Sequence, residues 1–143
     1  MLKKTITYTD YNGNERTEDH YFNLTEAEIA EMELSVDGGL AMSLKKIIAA
    51  QDIPSLVQTF KELILKSYGE KSADGKRFVK SEEISKAFEQ TDAYSVLFME
   101  LINDAEACNA FIKGVMPQEA LKALGYKAQD IEKVLPILYE IVA

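Results

Sequence analysis

Residues 65–117, LKSYGEKSADGKRFVKSEEISKAFEQTDAYSVLFMELINDAEACNAFIKGVMP, decide the fold of this chain. Asp74-Gly75 is a pair typical of a tight turn and predicts a short hairpin near residues 70–79. Ser81 and Asp104 are favourable helix N-caps and predict two helix starts. Between them, the segment after Thr91-Asp92 is apolar on nearly every side, so we expect its helix at the centre of the fold.

The N-terminal residues predict a second, longer β-hairpin. Lys3–Tyr11 and Arg16–Phe22 alternate in the way that half-buried strands do. Asn12-Gly13 between them is typical of a two-residue type I′ turn. Thr25 and Glu28 then have the spacing of a capping box, which predicts a helix from Glu26 to about Leu34, stopped by Asp37-Gly38-Gly39.

The remaining helices are predicted from apolar residues at helical spacing and from boundary residues. We expect them at Leu40–Gln51, Pro54–Tyr68 with Gly69 as C-cap, Glu82–Gln90, Thr91–Ile102, Ala105–Lys113 ended by Gly114, Pro117–Gly125, and from Asp130 onward with a kink or interruption at Pro136. The predicted fold class is α+β, mainly α-helical. It is a single domain, residues 1–143, with a β-hairpin (1–24) and a helical body (25–143) of about seven helices.

Composition and charge limit the function classes. The net charge of −8 disfavours nucleic acid and anionic membranes as partners. No apolar run approaches the roughly 18 residues of a membrane-spanning helix, and one cysteine excludes an intrachain disulfide. The charge is banded, because residues 10–37 are acidic and residues 38–80 are basic. This banding would suit self-association between copies, although separate solvated faces are the simpler explanation.

The residue types needed for covalent chemistry are scarce. His20 lies on a predicted strand with no nucleophile near it, and an ordinary edge-strand histidine is the simpler interpretation. Cys108 is expected to be a small buried hydrophobe. The string DYNGNERTEDHY (Asp10–Tyr21) fails as a calcium loop, since Glu15 and Tyr21 occupy its glycine and glutamate positions. We therefore expect no catalytic residue, no metal site and no cofactor.

The candidate partner-binding residues are Lys76, Arg77, Phe78, Met99 and Met116. Lys76 and Arg77, with Lys71 and Lys80, put cations beside an aromatic ring at the predicted second hairpin, where an acidic partner could dock. The methionines are flexible side chains of the kind that adaptable binding surfaces use. A solvated loop and ordinary core filling, respectively, are the alternatives for these two groups.

Four blocks of the sequence together resemble a known family. They are YFNLTEAEIAEM (Tyr21–Met32), SYGEKSADGKRFVKS (Ser67–Ser81), FEQTDAYSVLFMEL (Phe88–Leu101) and AFIKGVMP (Ala110–Pro117). The chain resembles the tail assembly chaperones of long-tailed phages and prophages of Gram-positive bacteria. The resemblance implies a non-enzymatic protein of the host cytoplasm, not retained in the mature virion. It implies that the protein binds the tape measure protein, keeps it soluble, and helps recruit tail tube protein.

A different binding function fits the residues alone. A small acidic adaptor or inhibitor that occupies the surface of a host protein would have the same composition and the same lack of catalytic groups. The two functions differ in their partner, and the resemblance favours the chaperone.

Overall fold

The computed structural model describes residues 1–34, 46, 49, 50 and 52–142. It has four strands in one antiparallel sheet, in the order β1-β2-β3-β4. The strands are β1 Leu2–Thr9, β2 Glu15–Phe22, β3 Tyr68–Lys71 and β4 Phe78–Val79. An N-terminal hairpin and a small second hairpin, near residues 70–79, are both present as predicted.

Seven helices lie within the described residues, which confirms an α+β, mainly helical fold. They are α1 Glu26–Leu34, α2 Ile53–Ser67, α3 Glu82–Glu89, α4 Asp92–Asn103, α5 Ala105–Val115, α6 Gln118–Leu124 and α7 Ala128–Val142. The predicted stop at Asp37-Gly38-Gly39 lies outside the described residues. So does the predicted helix Leu40–Gln51, apart from residues 46, 49 and 50.

The first hairpin pairs all eight residues of each strand, from Leu2 opposite Phe22 to Thr9 opposite Glu15. The predicted two-residue type I′ turn is wrong. The Asp10 N–H donates to the Asn14 carbonyl at 2.8 Å and the Gly13 N–H donates to the Asp10 carbonyl at 3.0 Å, so three residues form the loop. Gly13 has the positive φ, 82°, that such a loop requires at its last residue.

Side-chain capping fixes the starts of four helices, α1, α2, α3 and α5. Thr25 and Glu28 form the predicted box: the Glu28 N–H donates to Thr25 Oγ1 at 3.1 Å, and the Thr25 N–H donates to Glu28 Oε1 at 3.0 Å. Ser81 and Asp104 accept from the first turns of α3 and α5, as predicted. Asp52 caps α2, so Pro54 lies inside the first turn of that helix, where its missing N–H removes no helix hydrogen bond.

Three predicted boundaries are wrong. Gly69 is not a helix cap, because α2 ends at Ser67 and Gly69 lies in β3 opposite Tyr21. Gly114 does not end its helix, since α5 continues to Val115 and Leu2 packs against Gly114. The last helix begins at Ala128 and is continuous through Pro136. In the first two cases, close packing explains the glycine better than chain termination does.

The core joins the hairpin to the helices. Four aromatic rings of the core lie within contact distance: Phe22 of β2 packs on Tyr68, Phe88 and Phe111, with ring centroids 5.3–5.8 Å apart. Helix α4 lies at the centre, as predicted, and contacts β1, α3, α5 and α7. Leu97 on α4 is fully buried. One hydrophobic cluster therefore includes strands and helices alike.

Candidate functional site

The loop of the second hairpin, residues 72–77, is held by its own polar groups. The Asp74 carboxylate accepts from Ser72 Oγ at 2.7 Å and from the Lys76 N–H at 3.0 Å. These hydrogen bonds lower the pKa of Asp74. The Ser72 N–H donates to the Arg77 carbonyl at 2.9 Å, and Gly75 takes the positive φ of 74° that the turn requires. The loop therefore presents its side chains from a defined backbone.

The four cations of this hairpin divide into two pairs. Lys80 Nζ donates to Glu28 Oε2 and to the Asn23 carbonyl, both at 2.6 Å, and so attaches the hairpin to the start of α1. Lys71 Nζ lies 4.3 Å from the centre of the Tyr21 ring. Lys76 and Arg77 are exposed, and neither side chain forms a hydrogen bond or an ion pair with any residue that the structure describes. Among the described residues, only the second pair has no such intramolecular contact, so it is the pair that we consider for a partner.

Phe78 is half-buried and faces into the hairpin. A Cβ placed on Gly69 would lie 2.8 Å from the Phe78 ring and 2.9 Å from the Val79 carbonyl oxygen. The ring thus fills the space above the glycine, with Lys80 Nζ 5.6 Å from its centre. Phe78 supports the tip from within, whereas Lys76 and Arg77 form its outer surface. We call the exposed Lys76-Arg77 pair the cationic tip.

Met99 and Met116 are also half-buried and pack against the hydrophobic core. Met99 lies on α4 and Met116 is the residue that caps the C-terminus of α5. Lys76, Arg77 and Phe78 belong to the second hairpin, whereas the two methionines belong to the helical body.

None of the exposed large apolar side chains among the described residues was predicted as a binding residue; they are Met1, Tyr11, Leu34, Val96 and Tyr139. Val96 on α4 is 36% exposed and Tyr139 on α7 is 39% exposed, and these two helices pack on each other. Sequence reasoning assigned α4 to the interior on every side, so it missed the face that carries Val96. An exposed apolar position next to a tightly packed core is where an apolar partner helix could dock.

The histidine and the cysteine have packing environments. The His20 ring lies 5.1 Å from Phe88 and 6.1 Å from Tyr68, and burial lowers its pKa. His20 pairs with Lys4 of β1, whereas β3 pairs with β2 only at Tyr21 and Phe22. No described strand therefore pairs with β2 on its other side at His20, as predicted for an edge-strand histidine. Cys108 is buried as predicted, which raises the pKa of its thiol to about 12. Among the described residues, no cluster of His, Cys, Asp or Glu could hold a metal ion.

A cleft of about 410 Å³ separates β2 from the second hairpin. Strand β3 pairs with β2 only at Tyr21 and Phe22, and the hairpin then diverges from β2. The cleft is lined by Glu18, Asp19, His20 and Tyr21 on one side and by Tyr68, Gly69, Glu70 and Lys71 on the other. No sequence signal indicates it, because it depends on where two strands stop pairing.

In the described part of the chain, no helix is both long enough and apolar enough to cross a bilayer. A family model described as phage tail assembly chaperone matches residues 1–136, which is nearly the whole chain. No curated protein and no solved structure matches.

Proposed function

The chain belongs to the phage tail assembly chaperone family, and from this premise we propose that it binds the tape measure protein and keeps it soluble. We further propose that it helps to recruit tail tube subunits during tail assembly. The observation that carries the proposal is the family match over residues 1–136. The resemblance of the four sequence blocks points to the same partners.

Two surface features support the binding of another polypeptide. The cationic tip offers two positive charges, Lys76 and Arg77, that no described residue neutralises. The second feature is a pair of large apolar side chains in contact with water, Val96 on α4 and Tyr139 on α7. Met99, on the same helix as Val96, adds a flexible side chain that can adapt its packing. An apolar helix with acidic side chains nearby would meet both features.

The charge of the whole chain supports the solubilising role. A net charge of −8 on each bound copy would make a coated tape measure protein repel its neighbours and stay dispersed. Several copies would be needed to cover a long helical protein, so self-association of the chaperone belongs to the proposal. The proposed place of action is the host cytoplasm, with release before the virion is complete.

We also propose that residues 1–143 act as one non-enzymatic domain. The first hairpin contributes Ile6 and Phe22 to the same hydrophobic cluster that contains Leu97 and Leu138 of the helices. A division at residue 24 would expose that shared apolar surface. The hairpin and the helical body are therefore expected to unfold together.

Co-expression tests the proposal. An apolar, helical fragment of the tape measure protein is expressed alone, with this chain, and with an unrelated acidic protein of similar size. We expect the fragment to move from the pellet to the soluble fraction only with this chain, and to copurify with it. Tail tube protein added to the complex should then bind it.

Three other results of the co-expression experiment would count against part or all of the proposal. A fragment that stays in the pellet with this chain overturns the chaperone function. Capture of one host protein from lysate, without any gain in fragment solubility, identifies the chain as an acidic adaptor instead. A complex that forms but never binds tube protein removes only the recruitment step.

A further inference from the structure

Half of the backbone groups of β2 point away from β1. Asp10 and Asn14 form a hydrogen-bonded pair, and such pairs occur at every second residue of an antiparallel ladder. The backbone groups of Arg16, Glu18 and His20 therefore bond to β1. The alternate residues, Glu15, Thr17 and Asp19, direct their N–H and C=O groups to the other side. The Asn23 N–H, which donates to the Ser67 carbonyl at 2.8 Å, confirms that odd-numbered residues face β3.

Strand β3 uses only the end of that outer side. It pairs with β2 at Tyr21 and Phe22, and the second hairpin then leaves the cleft of about 410 Å³. Glu15, Thr17 and Asp19 are exposed, and their backbone groups have no hydrogen-bonded partner among the residues that the structure describes. The β2 edge of the cleft is therefore an open strand edge.

Strand β1 forms the opposite open edge of the sheet. By the same alternation, Lys3, Thr5, Thr7 and Thr9 direct their backbone groups away from β2. All four residues are exposed, and no described strand pairs with β1 on this side. The sheet thus has two unlike open edges, each at least six residues long.

The two edges have opposite charges. Lys3 and Lys4 lie at the start of β1, where Lys4 also forms an ion pair with Glu100 at 3.0 Å. Glu18 and Asp19 lie in β2 beside the cleft. Glu70, on the far wall of the cleft, adds another negative charge. Lys71 is also there, but its ammonium group lies over the Tyr21 ring. A basic, β-forming segment fits this cleft, and β1 of this chain is such a segment.

We propose that β1 of one copy adds as a strand to the open edge of β2 in the next copy. The pairing is antiparallel, with Lys3 opposite Asp19 and Lys4 opposite Glu18. Thr5 then lies opposite Thr17. This register is shifted by two residues from the intrachain pairing, in which Lys3 faces Tyr21, so that the added strand stops where β3 begins.

Such a contact joins unlike surfaces and need not close. Each copy that donates β1 still has a free β2 edge, so copies can add in a row. A row of copies suits the coating of a long partner, and the usefulness of the contact rests on the proposed function. The sedimentation test contains no tail protein, so its failure would remove self-association from the proposed function but leave the binding of the tape measure protein standing.

Sedimentation velocity over a range of concentrations provides the test. We expect the mass of the wild type to rise from 16.0 kDa without stopping at one multiple. Asp19→Lys and Lys3→Asp each place like charges opposite each other in the new contact and should weaken association about tenfold. An equimolar mixture of the two variants pairs a lysine with an aspartate at every junction and should recover wild-type association.

Matched controls carry the same charge changes on α7. Glu132→Lys and Lys133→Asp alter exposed residues that form no ion pair in the described chain, and both should associate like the wild type. A Thr17→Pro variant tests the backbone directly, because it removes an outward N–H without touching the β1–β2 ladder. It should prevent the growth of long rows.

Several results would overturn the inference. One is a wild type whose mass stays at 16.0 kDa at every concentration. Another is that the α7 controls weaken association as much as Asp19→Lys and Lys3→Asp do. A third is that the mixture of these two charge variants stays dissociated. Persistent association of a folded Thr17→Pro protein would also overturn it. If circular dichroism shows that Thr17→Pro is unfolded, the recovery in the mixture still decides.

Discussion

The two hairpins close their loops with the same device but differ in the charges that they leave exposed. In the first hairpin, the Asp10 carboxylate accepts from the Asn12 and Asn14 N–H groups and from the Arg16 guanidinium at 2.7 Å. In the second, Asp74 accepts from Ser72 and from the Lys76 N–H. The first tip therefore satisfies its own cation. At the second tip, Lys76 and Arg77 have no ion-pair partner in the part of the chain that the structure describes.

The hairpins also differ in how they are attached to the body. The first is held by its whole inner face, with Ile6 and Phe22 in the core. The second is attached where β3 pairs with β2 at Tyr21 and Phe22, and where Lys80 bonds to Glu28 and Asn23. The first hairpin therefore stabilises the fold, whereas the second carries the cationic tip of the proposed binding surface.

The largest expected effect is at Phe22, which is fully buried and contacts three other aromatic rings. Phe22→Ala leaves a cavity and should reduce the free energy of unfolding by about 3–5 kcal/mol. Urea denaturation followed by circular dichroism measures this. A loss smaller than about 1 kcal/mol would mean that the first hairpin is not part of the core.

A smaller effect is expected at Gly69, where the second hairpin is packed most tightly. Gly69→Val places a side chain against Phe78 and the Val79 carbonyl and should cost about 1–3 kcal/mol. Repeating the substitution in a Phe78→Ala protein relieves part of the clash, so the cost should fall there. Equal costs in the two backgrounds would show that Phe78 does not restrict this position.

Much of this architecture could be predicted from local signals. The Thr25–Glu28 box, the Ser81 and Asp104 caps and the Asp74-Gly75 turn depend on neighbouring residues, and the structure confirms each. Gly69 and Gly114 were misinterpreted as helix ends. The side chains that leave no room for a Cβ at these positions, Phe78 at Gly69 and Leu2 at Gly114, cannot be identified from the neighbouring sequence. The Asn12-Gly13 turn has the right residues, but Asp10 and not Tyr11 pairs with Asn14, so the loop is one residue longer than predicted.

The candidate binding surface was less accessible to such reasoning. The four cations of the second hairpin look alike in sequence, and only tertiary contacts show that Lys71 and Lys80 are engaged within the fold. Val96 was assigned to the interior because one helix cannot show which of its apolar faces has no neighbour. The cleft beside β2 depends on the point where two strands diverge.

A pH-dependent effect is expected where the two hairpins meet, at His20. Burial lowers the pKa of this side chain below its ordinary 6.5, against the attraction of Glu18 and Asp19. Below pH 6.5 the unfolded chain therefore takes up a proton that the folded chain resists. The contribution of neutral His20 to the free energy of unfolding is fully present above that pH. It decreases as the pH falls, by at most about 1.4 kcal/mol per pH unit.

Denaturation at pH 7.5 and at pH 5.5 measures this effect as a difference between proteins. His20→Gln removes the titrating group, so it should lose less stability than the wild type between the two pH values. Carboxylates titrate in both proteins and cancel in the comparison. Identical losses would show that the His20 ring is as accessible to protons in the folded chain as in the unfolded chain.

The most direct test of the account is the binding of a tape measure fragment to a protein with a reversed cationic tip. Lys76→Glu/Arg77→Glu changes two exposed side chains, so the free energy of unfolding should stay within about 0.5 kcal/mol of the wild type. The control is Lys127→Glu/Lys133→Glu, which changes the net charge by the same amount. Lys133 lies on α7 and Lys127 directly before it, and both are exposed. We predict that tip reversal weakens binding about tenfold or more and that the control binds like the wild type. Equal binding by the wild type and both variants would contradict the account.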